Sequence, residues 1–232
     1  MEADYCPSGL LVSGSKDTTI KVWDLRSKTA IQTYSGHHSQ INDVKVSPDG
    51  LWVASACNNK KVNIWDIKNT QIINSFEFHN APVTCIKFNP EELALAVAGE
   101  EKFSTYYTLE STFEAIGKTQ RESTPVTALD FDNNGEYLFT ATSSNLKVWN
   151  TKNMTLVNTF DAKWSAVHDI SVADNNTTVY ASAVKGNTFS MWISEPESKP
   201  RSPATNEILA TNKNCVNVAN SNNRMLDETC FA

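Results

Sequence analysis

Four histidines, five cysteines and two adjacent glutamate pairs are the residues of this 232-residue chain that could carry acid–base, nucleophilic or metal chemistry. General acid–base work needs two groups that converge on one substrate atom. Glu91-Glu92 and Glu100-Glu101 are neighbours in turn-like stretches, where side chains diverge, so both pairs read as solvated turn charges. His37-His38 sets two imidazoles side by side without a third ligand at metal spacing. None of the four histidines, which also include His79 and His168, has a Ser or Cys partner in a recognisable nucleophile motif. Cys6, Cys57, Cys85, Cys215 and Cys230 are scattered, form no C-x-x-C pair, and read as reduced thiols. A phosphate-cradling loop needs clustered glycines, and the eight present form no such cluster. The expectation is a non-enzyme without metal, cofactor or small-molecule substrate.

The informative chemistry is that of buried N–H groups. Trp23, Trp65, Trp149 and Trp192 follow one another at 42, 84 and 43 residues, and Tyr107 stands where the skipped member belongs. Each aromatic ends a β-branched run, such as IKVWDL at 20–25 or VNIWDI at 62–67. An indole beside a sheet must find an acceptor for its N–H, so each tryptophan needs a hydroxyl or carboxylate nearby. A period near 42 residues marks four-stranded units that cannot bury their faces alone and stack into a β-propeller.

Short alternating runs separated by turn clusters agree with this reading, since apolar residues recur at every second position. They place units at 10–35, 41–78, 83–120, 126–161 and 167–194, with SPDG at 47–50, NPEE at 89–92 and DNNGE at 132–136 as tight reversals. The expected fold is all-β, with about four to five blades over residues 1–195. The first unit starts inside its first strand and the fifth lacks its last one, so an incomplete or open ring is expected. Residues 196–232 are polar, Asn-rich and poor in large apolar residues, and read as a mostly disordered tail.

Charge excludes some partners. A net charge of −6 and a pI near 5.3 give no support for wholesale binding of nucleic acid or anionic membrane. No apolar run nears the roughly 20 residues that span a bilayer, and MEADYCPSGL has no signal-peptide grammar, so a soluble, intracellular protein is expected.

SGSKDTTIKVWDL, the Gly36-His37 pair and VKVSPDGLWVASACNNKKVNIWDI resemble the WD40 repeat at nearly every position. The resemblance implies a chain of hydrogen bonds within each blade, from a His through a Ser or Thr to the Trp, with an Asp in the turn. Ser13, Asp17 and Trp23 fill three of these slots in the first unit. His37, Ser55 and Trp65 match in the second, where Asn59 replaces the aspartate; Trp149 and Trp192 carry the aromatic slot in the fourth and fifth. Later units depart from the pattern, since Tyr107 replaces Trp and the fourth and fifth lack the Gly-His pair, so weaker networks are expected there.

The order DYCPSG, SGSKDTTIKVWDLR, SPDGLWVASA, FNPEE, STPVTALDFDNNGEYLF and KWSAVHDISV further resembles the non-catalytic, propeller-bearing subunit of katanin. That likeness implies a targeting module of a microtubule-severing complex, with tubulin or the katanin-type ATPase complex as partner, in the cytoplasm and cytoskeleton at spindle poles and centrosomes. The helical region that would hold the ATPase is not seen in this sequence, so the ATPase itself is not expected to bind directly. A generic WD40 adaptor (substrate receptor or signalling scaffold) and a truncated remnant without independent function are the other readings. One rim of the units collects Lys16, Lys60, Lys61, Lys102, Lys163 and Lys185 and is the candidate partner-binding surface. The opposite rim collects Asp49, Glu91, Glu92, Asp132, Glu136 and Asp174. A lysine-bearing face attracts acidic peptide tails such as tubulin's.

Overall fold

The structure is a computed structural model that describes residues 2–6, 9–77, 79–110, 112–161, 164, 167–173, 178–185, 188–194 and 216–219. Every regular element among them is a strand. Twenty strands form five antiparallel sheets of four, each a simple meander. The first holds β1 (Glu2–Cys6), β2 (Leu10–Gly14), β3 (Ile20–Asp24) and β4 (Thr29–Tyr34). The second holds β5 (Ile41–Val46), β6 (Trp52–Cys57), β7 (Val62–Asp66) and β8 (Ile72–Phe76). The third is β9 (Val83–Phe88), β10 (Ala94–Gly99), β11 (Ser104–Thr108) and β12 (Ala115–Lys118). The fourth is β13 (Val126–Phe131), β14 (Tyr137–Thr142), β15 (Asn145–Asn150) and β16 (Thr155–Asp161). The fifth is β17 (Asp169–Val172), β18 (Val179–Lys185), β19 (Thr188–Ser194) and β20 (Val216–Ala219).

The innermost strands adjoin in the order β1, β5, β9, β13, β17, which sets the sheets around an axis as propeller blades. Consecutive blades pack through them; the fifth blade does not pack against the first in this way, and the ring is open. Two strands complete blades that the sequence left short. Glu2–Cys6 pairs along its whole length with β2, so the first blade has all four strands. Val216–Ala219 pairs with β19 and takes the fourth position of the fifth blade, although it falls inside the segment read as tail. A four-residue strand in an Asn-rich stretch has too little alternation to be read as one.

There is no single core. Apolar side chains fill the spaces between neighbouring sheets, one cluster per junction. At the first junction Val12, Ile20, Val22 and Tyr34 meet Val46, Val53 and Trp65. At the second, Ala54, Val62, Ile64 and Phe76 meet Phe88, Leu95 and Tyr107. The second, third and fourth blades are thus buried on two faces, which is why β10 reads as an unbroken apolar run, ALAVAG.

The turns repeat in backbone as well as in place. Thr18, Lys60 and Lys102 each adopt a left-handed conformation (φ 75°, 66°, 66°) in the turn between second and third strands. In each turn that residue's N–H bonds the carbonyl three residues back: Ser15, Cys57 and Gly99. Lys28, Thr70, Phe113 and Met154 adopt the same left-handed conformation at the turn before the fourth strand, with φ between 52° and 56°. Gly135 is required as glycine twice over: its φ is 67°, and a Cβ there would collide with the Asn89 side chain of the neighbouring blade.

Candidate functional site

The repeated turn aligns the side chains that could tie each blade together. Asp17, Asn59 and Glu101 are the residues just before the left-handed one, so they occupy one structural slot in three blades. In the second blade, Trp65 Nε1 donates to Ser55 Oγ at 2.8 Å, and that hydroxyl lies 2.6 Å from His37 Nε2. Ser55 Oγ is also 3.5 Å from Asn63 O, so the shorter contact assigns the hydroxyl proton to His37 Nε2 and leaves the ring proton on Nδ1. That buried Nδ1 has no hydrogen-bond partner among the described residues. Asn59 is exposed and does not supply one. Burial, with lesser repulsion from His38 and Lys61, pushes the His37 pKa down to about 4, so the ring is neutral at neutral pH.

The third blade departs from the sequence pattern and yet holds a longer chain of contacts. Tyr107 Oη lies 3.2 Å from His79 Nε2, and His79 Nδ1 lies 3.5 Å from Glu101 Oε2. The carboxylate can only accept, so Nδ1 carries the proton and Tyr107 donates to Nε2. Glu101 also accepts from the Asn80 N–H. Its side chain is 8% exposed. The expectation of a solvated Glu100-Glu101 pair therefore fails for Glu101, and the expectation of a weaker network fails for this blade. A turn carboxylate is drawn inward when an imidazole N–H waits behind it, and one sequence gives no sign of that approach. Burial lowers the His79 pKa, while Glu101 acts in the opposite direction.

Elsewhere the arrangement is simpler. Trp23 Nε1 donates to Ser13 Oγ at 2.8 Å, and Trp149 Nε1 to Thr140 Oγ1 at 2.9 Å. Asp17 is exposed and turns to Thr19, whose N–H and Oγ1 it accepts at 2.9 and 2.7 Å; these bonds hold its pKa below the usual carboxylate range. Trp192 pairs by backbone with Ala181 on β18, as Trp149 does with Leu138 on β14; its side chain lies outside the described residues. Trp164 donates Nε1 to Thr142 O at 2.9 Å and packs between the fourth and fifth blades.

Of the six rim lysines, the four whose side chains are described do not form one free patch. Lys16 and Lys60 are exposed. Lys61 is ion-paired with Glu77, and Lys102 Nζ donates to Ser123 O at 3.0 Å. Lys163 and the side chain of Lys185 lie outside the described residues. On the opposite rim, Asp132 is buried and accepts from Tyr137 N at 2.8 Å, and burial raises its pKa; Asp174 lies outside the described residues. Asn89, from the NPEE turn, is fully buried and uses all its capacity. Its Nδ2 donates to Tyr106 Oη and Gly135 O, and its Oδ1 accepts from the N–H groups of Glu91 and Glu92.

A feature that the sequence did not announce runs along the axis. Asp4 Oδ2 accepts from Val46 N at 2.8 Å, Asp43 Oδ2 from Ile86 N at 2.9 Å, and Asp130 Oδ2 from Val172 N at 2.7 Å. Each carboxylate clasps the inner strand of the next blade. Lys45 and Lys87 neutralise two of them, at 3.1 Å from Asp43 and 2.9 Å from Asp130. Burial works against the Lys45 charge, but Asp43, with Asp4 and Asp169 beyond it, keeps its pKa above the ordinary value. The inner strands surround a depression of about 1220 Å³. Among the described residues no three His, Cys, Asp or Glu side chains stand close enough to hold a metal ion, and no helix is long and apolar enough to cross a membrane.

Five stacked four-stranded sheets with indole-to-hydroxyl bonds are the architecture of WD40 β-propellers, protein-interaction domains that are typically non-catalytic scaffolds. Residues 4–195 match the family described as nucleolar protein 10-like, N-terminal domain, a β-propeller, and the chain belongs to that family. It is also similar to the guanine nucleotide-binding protein subunit beta of Zea mays, 48% identical over 44 residues, covering 18% of this chain and 12% of that protein. WD repeat-containing protein 36 of Homo sapiens is 43% identical over 49 residues, 21% of this chain and 6% of that protein. A Lissencephaly-1 homolog of Heterostelium pallidum is 40% identical over 48 residues, 21% of this chain and 12% of that protein. The matched stretch thus spans an eighth or less of each of these relatives. The likeness specific to katanin is not supported by these matches.

Proposed function

We propose that the chain is a protein-binding scaffold that offers the rim carrying Lys16 and Lys60 to an acidic segment of a partner protein. One observation carries this reading: both lysines are exposed, Lys60 itself in the left-handed conformation and Lys16 in the turn whose Thr18 is left-handed, so their stems are presented from a fixed backbone. Fixing the backbone in advance lowers the entropy lost on binding. The microtubule reading is the specific form of this proposal, with tubulin's acidic tails as the segment and a katanin-like severing complex at spindle poles or centrosomes as the setting. A general adaptor role for another acidic partner is the broader form, and the family match favours it.

Co-sedimentation with microtubules and binding to an immobilised glutamate-rich peptide, each at low and at physiological salt, test both forms. Lys16→Glu combined with Lys60→Glu is expected to lower the bound fraction several-fold at low salt, whereas changing the internally engaged Lys61 and Lys102 lowers it less. Binding of the peptide but not of microtubules supports the adaptor. An unchanged bound fraction in the double variant, or no binding to either probe, overturns the proposal.

A further inference from the structure

In the second, third and fourth blades, one row of residues runs across the sheet through the aromatic slot: Val46–Val53–Trp65, Phe88–Leu95–Tyr107 and Phe131–Leu138–Trp149. All nine side chains are buried, because the opposite face of the preceding blade covers each row. Tyr34 stacks on Trp65 at 5.6 Å, and Phe76 lies 4.5 Å from Tyr107. The first blade has the same row in the same register, Tyr5–Leu11–Trp23. No blade covers it among the described residues: Tyr5 is 58% exposed, and Leu11 and Trp23 are part-exposed.

The fifth blade is the converse. Val179 and Ala181 face the fourth blade and are buried, so by alternation Tyr180 and Asp169 lie on the other face, which no blade covers among the described residues. Tyr180 is 41% exposed. Val172 is clasped by Asp130 as Val46 is by Asp4, so Asp169, three residues before it, holds on β17 the place that Asp43 holds on β5. Asp43 clasps the N–H of Ile86, two residues before Phe88, and the corresponding residue of β1 is Ala3, two before Tyr5. Among the described residues, both halves of a blade-to-blade junction thus stand without a covering blade.

We infer that the uncovered face of the first blade docks a second copy of this chain, head to tail, against the face of its fifth blade that carries Asp169 and Tyr180. The occupant follows from continuity with the junctions inside the chain, where this row meets the opposite face of a neighbouring blade each time and never another copy of itself. Asp169 then accepts the backbone N–H of Ala3 of the second copy, extending the series of clasps as Asp43 does on Ile86. Contacts between unlike faces leave one free end on each side, so association continues beyond the dimer.

Sedimentation velocity on the full chain over a hundredfold concentration range tests this. Species at twice 25.7 kDa and above are expected to grow with concentration. Tyr5→Glu and Tyr180→Glu, both at exposed positions, are each expected to remain monomeric with unchanged circular dichroism. A 1:1 mixture of the two variants is expected to form a capped dimer, because each retains the face that the other lost. A wild-type chain that stays monomeric throughout, a Tyr180→Glu variant that associates like wild type, or a mixture that stays monomeric overturns the inference.

Discussion

The second and third blades put different residues into one slot and reverse what their sequences suggest. The second follows the repeat closely, yet its His37 reaches only Ser55, and its Nδ1 is buried without a partner. The third has Tyr for Trp and Glu for Asp, yet His79 is engaged on both ring nitrogens. Identity of type at three positions does not close a network when the fourth side chain stays outside: Asn59 is exposed, whereas the longer Glu101 folds inward to the imidazole. What the blade requires is an acceptor for a buried ring N–H, and more than one residue type can supply it.

Acid exposes this contrast most strongly. Both histidines have pKa values depressed below the unfolded value of about 6.5, so the stability they secure is present above that pH and is lost as pH falls toward the folded pKa. For His37, with its pKa near 4, the loss between about pH 6.5 and 4 is on the order of 3 kcal/mol, at about 1.4 kcal/mol per unit. Urea midpoints measured across that window should fall steeply in the wild type. His37→Asn should flatten the slope more than His79→Asn, since Glu101 opposes the depression at His79; equal slopes would dissolve the difference between the blades.

A smaller effect separates the turn residues. Glu101→Ala leaves His79 Nδ1 and Asn80 N without their acceptor and should cost about 1–3 kcal/mol in urea unfolding. Asn59→Ala, at the equivalent exposed position, should stay within about 0.5 kcal/mol. Comparable losses at both sites would mean that the slot matters for its backbone and not for its side chain. A gain is expected in the other direction: Asn59→Asp, whose carboxylate is drawn to His37 Nδ1–H, should stabilise by about 1 kcal/mol, shown by a raised midpoint at pH 7 with an unchanged denaturant slope.

Much of the fold was legible because stacked units must repeat their apolar aromatic at one register: Trp23, Trp65 and Trp149 mark third strands that the structure places at β3, β7 and β15. Strand alternation gave most of the remaining elements. Glu2–Cys6 and Val216–Ala219 escaped because their partners lie in strands that must be placed first. The carboxylates were the least legible part. Asp4, Asp43 and Asp130 look like ordinary polar members of alternating strands, and their role appears only when the next blade brings a backbone N–H against them. Asn89 likewise reads as a turn former, while its amide is enclosed and links two blades through Tyr106 and Gly135. The lysine rim was assembled by loop position alone, which could not foresee that Glu77 and the Ser123 carbonyl would engage Lys61 and Lys102.

The axial aspartates grip main chain, not side chain, and this has an evolutionary consequence. A carboxylate that recognises an amide N–H is indifferent to the identity of the residue that bears it, as Val46, Ile86 and Val172 illustrate. Mutations can accumulate on a receiving strand without loosening its hold on the neighbour, while the aspartate positions that accept the bonds tolerate little. Drift of the kind seen in the third repeat is thereby permitted, and new surface chemistry can arise on a scaffold whose internal alignment is kept by a few acidic groups.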